Sequence, residues 1–91
     1  MRPIETLFLT GAGVHDWSRT TPFLAGLLKD SGRFAPTITT EPSAALQDAD
    51  ALAQYDLLFT EYHGPEWSEA AKSNFQRAIA SGTGLVILHS A

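Results

Sequence analysis

Four short apolar runs, in place of one long one, set the limits on how this chain can fold. Ile4–Thr10, Pro36–Thr40, Leu57–Thr60 and Leu85–Leu88 are rich in β-branched or large aliphatic residues and bounded by turn formers, which marks them as strands. Helix signals fill the gaps. Thr21 is a good N-cap with Pro22 at the first helical position, and Phe23, Leu24, Leu27 and Leu28 make an apolar stripe that Gly32 terminates. Ser43–Gln54 has only Leu46 and Leu52 as large apolar residues, which predicts a short, weakly packed helix or two turns. Ser68 caps a helix carrying Ala71, Phe75, Ala78 and Ile79 on one face, ended by Gly82-Thr83-Gly84.

Strands that alternate with helices in this way build parallel sheets with helices on both faces. The expected fold class is α/β, an open doubly wound parallel sheet of flavodoxin-like strand order 2-1-3-4. The second strand, exposed and led by Pro36, belongs near an edge, and the continuous apolar run of the third predicts a central strand covered on both faces. With 91 residues, 44% of them hydrophobic, and no repeat or linker, the chain has material for one core. It ends directly after its most apolar strand. That predicts an N-terminal part of a single domain, residues 1–91, truncated after strand four, with an exposed sheet edge that favours homo-oligomers.

Composition narrows the partners. Ten acidic residues against six basic ones give a net charge of -4, which removes the basic footprint expected of a nucleic-acid binder. No apolar run approaches the roughly 20 residues needed to span a bilayer. The start, with Arg2 and the brief run Leu7–Leu9, lacks a signal-peptide pattern, so a cytoplasmic location is expected and no membrane partner. The absence of cysteine excludes disulfides, thiolate metal sites and a thiol nucleophile within these residues.

In doubly wound sheets ligands sit beyond the carboxyl ends of the strands, near the point where strand order reverses. His15 follows the first strand, His63 the third and His89 the fourth, so all three converge on that edge, with Asp16, Trp17, Glu61, Tyr62 and Trp67 in the same loops. Histidine suits proton transfer near neutral pH, with Asp16 or Glu61 available to orient it. His15, His63 and His89 are also candidate ligands for a divalent metal such as zinc, although no H-E-x-x-H spacing occurs. Hydrogen bonding in polar loops is the structural alternative for each. Glu61 and Asp16 could instead form a carboxylate pair, a mechanism decided by their separation. Trp17, Tyr62 and Trp67 offer a wall for a sugar ring or close the loops over the core.

Two further patterns fail. Gly11-Ala12-Gly13 would place the third glycine of a dinucleotide fingerprint at Asp16, whose carboxylate repels a pyrophosphate, so no nucleotide is expected; the glycines let the loop turn and pass close to a ligand. Ser90 lacks the glycine that a nucleophile elbow would need at Leu88.

The segments LFLTGAGVHDWSRTTPFLAGLLKDSGRF, YDLLFTEYHGPEW and SGTGLVILHSA resemble the N-terminal part of the trehalose-utilisation (ThuA-like) family, whose fold is similar to class I glutamine amidotransferases. Gly13-Val14-His15-Asp16-Trp17, Thr20-Thr21-Pro22 and the ending Leu85–Ala91 carry the resemblance. It implies that His89 stands where the amidotransferases place their cysteine, which leaves no thiol-based glutamine hydrolysis. It also implies a role in carbohydrate metabolism linked to trehalose, related disaccharides or their keto derivatives. Two functions follow. One is an enzyme with His89, His15, Asp16 and Glu61 as catalytic candidates and Gly11, Gly13, Trp17, Tyr62 and His63 around the sugar. The other is a non-catalytic ligand-binding or interaction domain on the same fold.

Overall fold

The computed structural model describes residues 2–11, 17–60 and 67–87, Trp17 by its backbone only. Its elements run β1 (Ile4–Leu9), α1 (Trp17–Asp30), β2 (Phe34–Thr39), α2 (Pro42–Gln47), α3 (Ala49–Leu52), β3 (Leu57–Thr60), α4 (Glu69–Ala80) and β4 (Gly84–Ile87). The four strands form one all-parallel sheet of order β2-β1-β3-β4, the expected doubly wound arrangement. None of the described helices is long and apolar enough to cross a membrane.

Alternation along the strands sorts the side chains into two layers. Leu7, Leu9 and Leu58 point to one face and meet Leu46, Leu52 and Ala71, all buried, with Tyr55, Trp67, Phe75, Ala78 and Ile79 packed around them. The segment predicted to be weakly packed thus supplies two of the core leucines. Its polar composition is compatible with this because Asp48 separates two short helices: its Oδ1 accepts from the Asp50 and Ala51 amides at 3.1 Å each and caps α3. Asn74 on α4 donates to the Leu46 and Gln47 carbonyls at the end of α2, at 2.7 and 3.2 Å. Ser68 caps α4 as expected, accepting from the Ala71 amide at 3.1 Å.

The opposite layer carries Thr6, Phe8 and Thr10, with Phe8 stacked on Phe59 of β3 at 4.4 Å between ring centroids. Helix α1 lies on this side, along β2, and it differs from the expectation in two ways. It starts at Trp17, so Pro22 lies inside it and Thr21 is not its cap. Its inner face is Thr21 and Ala25, both buried, while Phe23 and Leu27 of the predicted core stripe are 65% and 54% exposed. The Thr21 hydroxyl explains the rotation, for it is buried against the Thr10 hydroxyl at 2.8 Å, and a buried hydroxyl requires such a partner.

β3 is central, between β1 and β4, yet only Leu58 is fully buried; Leu57, Phe59 and Thr60 remain half-buried. The incomplete cover continues onto β4, every residue of which is exposed. β2 forms the other edge, as its composition indicates, although it begins at Phe34, ahead of the predicted start.

Candidate functional site

Register brings the carboxyl ends of the strands into one row. Leu9 lies beside Thr39 on one side and Thr60 on the other, and Thr60 lies beside Ile87. Strands are spaced about 4.8 Å apart, so the chain leaves β1, β3 and β4 at points within roughly 10 Å of each other. From these stems run the segments that carry the sequence-predicted site: His15 and Asp16 after β1, Glu61, Tyr62 and His63 after β3, and His89 after β4. Those six residues, together with Gly13, lie outside the described residues, as does Ser90. Trp17 is the first residue of α1, and its side chain also lies outside them. The row of stems is what the structure brings together; the side-chain geometry of the site is not part of it.

Gly11 is the predicted residue that can be followed in detail. Its φ is +102°, a backbone region that residues with a Cβ rarely adopt, and an added Cβ would fall 2.9 Å from the Thr40 carbonyl oxygen. The chain after β1 must therefore turn tightly against the end of β2. Glycine at Gly11 is a backbone requirement, while Gly13 lies outside the described residues.

Three threonines at the same edge escape sequence reasoning. Thr10 and Thr21 share the buried hydroxyl contact already described, beside a small cavity of about 120 Å³ also lined by Ser18, Pro22 and Ile38. Thr60, at the end of β3, buries its Oγ1 with no hydrogen-bond partner among the described residues. For Thr10 and Thr60 the one available signal is a threonine closing an otherwise apolar run, and its meaning depends on knowing which strands are neighbours; Thr21 lies within α1. Trp67 resolves toward packing: it is partly buried and its ring lies 5.3 Å from that of Phe75, tilted by 59°.

Among the described residues two further clefts open elsewhere. One of about 290 Å³ lies between α3 and α4, lined in part by Asn74, Arg77 and Thr83, and one of about 420 Å³ is lined by Arg2, Pro3, Ile4, Gly32 and Arg33. Both are at the amino ends of the strands, the edge opposite the histidine-bearing loops. There Asp56 joins two strand starts, accepting from the Glu5 amide at 3.0 Å and pairing with Arg2 at 3.5 Å. Among the described residues no group of three His, Cys, Asp or Glu is placed to hold a metal ion, and the candidates His15, His63 and His89 are not among them.

Comparison with known proteins agrees with this architecture. The family model for ThuA, described as trehalose utilisation, matches residues 5–91. The chain is similar in structure to a ThuA-like protein from Parabacteroides merdae ATCC 43184, with a TM-score of 0.85 and 30% sequence identity over 97% of this chain. It spans 33% of the length of that structure. No curated protein matches the chain.

Proposed function

Since the chain belongs to the ThuA (trehalose utilisation) family, we propose that it forms one wall of a sugar-binding crevice used in the metabolism of trehalose, related disaccharides or their keto derivatives. The observation that supports this is the row of strand ends Leu9, Thr60 and Ile87, from which the three histidine-bearing segments depart side by side. In this reading His89 and His15 exchange protons with the sugar, Asp16 or Glu61 orients an imidazole, and Trp17 and Tyr62 face the ring. Gly11 and Gly13 keep the backbone close to the ligand, and His63 binds it. These 91 residues supply no thiol, as they contain no cysteine. The whole protein's reaction belongs to this proposal too, because the related structure is about three times as long as this chain.

The test is calorimetric titration of the chain with trehalose and a keto-disaccharide, repeated with His89→Ala and with a chelator present. Binding that weakens by about tenfold or more in His89→Ala, a change of about 1.4 kcal/mol, agrees with the proposal. Binding that is absent for every sugar, or that is indifferent to His89, overturns it. A response to the chelator, reversed by zinc, would assign the histidines to a metal; no response would remove the metal from the account.

A further inference from the structure

The hydroxyl pair of Thr10 and Thr21 joins two stretches of chain that the sugar-crevice reading places beside the ligand. Thr10 is held to β2 by its own amide, which donates to the Thr39 carbonyl at 3.0 Å, and it is followed at once by Gly11, whose turn admits no Cβ against Thr40. Thr21 stands one turn along α1 from the Trp17 backbone at its start. A bond between the two threonines is therefore a tie between Gly11 and the first turn of α1.

Two features give this tie its weight. Pro22 has no amide to donate to the Ser18 carbonyl one turn back, so residues 17–21 are joined to the rest of the helix by one bond fewer. The contact is also too close for an apolar substitute. The hydroxyl oxygens meet at 2.8 Å, whereas carbon atoms in contact stay about 3.5–4.0 Å apart, so methyl groups in their place would set the helix start about 1 Å further from the end of β1. With Ser18, Pro22 and Ile38, the two threonines line a cavity of about 120 Å³, which leaves α1 room for such a shift.

We propose that Thr21 is a positioning residue of the sugar crevice, holding Trp17 in place relative to Gly11 through its bond to Thr10. The proposal rests on the crevice reading, in which Trp17 faces the ring and Gly11 keeps the backbone close to it. In this role neither hydroxyl touches the sugar, since both are buried against each other. Their effect is on geometry, and a displacement of about 1 Å in a group that must be held in place is enough to cost a large factor in its action.

Three variants separate positioning from stability. Thr21→Ser keeps the hydroxyl. Thr21→Val leaves the Thr10 hydroxyl against an apolar neighbour, and Thr10→Val combined with Thr21→Val removes that hydroxyl without restoring the close contact. The double variant should unfold at a urea midpoint no lower than that of Thr21→Val, yet bind trehalose or a keto-disaccharide at least about tenfold more weakly than the unmodified chain by calorimetric titration. Thr21→Ser should bind within about twofold of the unmodified chain. Unchanged affinity in the double variant, or Thr21→Ser binding as weakly as the double variant, would overturn the proposal. Residual dipolar couplings give a readout that needs no sugar. In the folded double variant the N–H vectors of Gly11 and Trp17 should turn relative to those of Leu7, Phe8 and Leu58 in the sheet, and return in Thr21→Ser; unchanged vectors would overturn the proposal. Absence of sugar binding by the unmodified chain overturns the crevice reading, whereas the couplings decide separately whether Thr21 fixes Trp17 against Gly11.

Discussion

Thr10 and Thr21 are the residues through which the site edge and the fold depend on each other. Both are buried, one directly follows β1 and the other sits a turn into α1, and their hydroxyls meet at 2.8 Å. Thr21→Val keeps the shape but leaves the Thr10 hydroxyl facing an apolar neighbour, which should cost about 1–3 kcal/mol in urea unfolding. Replacing both threonines by valine should cost less than the sum of the single changes, since no unpartnered hydroxyl then remains; strictly additive losses would show that the two are not coupled. The sequence places Thr21 directly before Pro22, and a β-branched hydroxyl before proline reads as a helix cap. Its true role depends on the distance to Thr10, eleven positions away, which local pattern does not encode.

At the scale of elements, strand order and type were legible because they follow from alternation, and alternation survives local ambiguity. Helix phase was not. Phe23 and Leu27 form a stripe as regular as any core stripe, yet the smaller Thr21 and Ala25 face the sheet. In α2 and α3 too few large residues were present to announce burial, although Leu46 and Leu52 are central to the core. The α4 start shows the reverse, a local signal that holds. Ser68 Oγ caps the Ala71 amide and also accepts from Gln47 Nε2 at 3.0 Å, which ties α4 to the end of α2. Ser68→Ala should lower stability by about 1 kcal/mol, measured by thermal or urea unfolding. A loss below about 0.3 kcal/mol would mean that neither bond contributes to the folded state.

For the molecule as a whole, the structure has two unlike ends. The carboxyl ends of β1, β3 and β4 are aligned and lead into the histidine-bearing segments, whereas two clefts among the described residues, with Arg2, Arg33 and Arg77, are at the amino ends. The sequence reading places His15, His63 and His89 after β1, β3 and β4, and the structure aligns those strand ends, while the histidines themselves lie outside the described residues. The spacing of their side chains was not legible, because it depends on loop conformation, which neither periodicity nor strand register determines. The proposed class of ligand rests on the family's description, trehalose utilisation, and its proposed place on the alignment of strand ends. Amide chemical-shift mapping during titration with trehalose or its keto derivative tests that placement most directly. The account predicts that the largest shifts fall on Thr10, Gly11, Thr60, Ile87 and the segments that follow them. Shifts concentrated around Arg2, Arg33 or Arg77, or none at any sugar concentration, would contradict it.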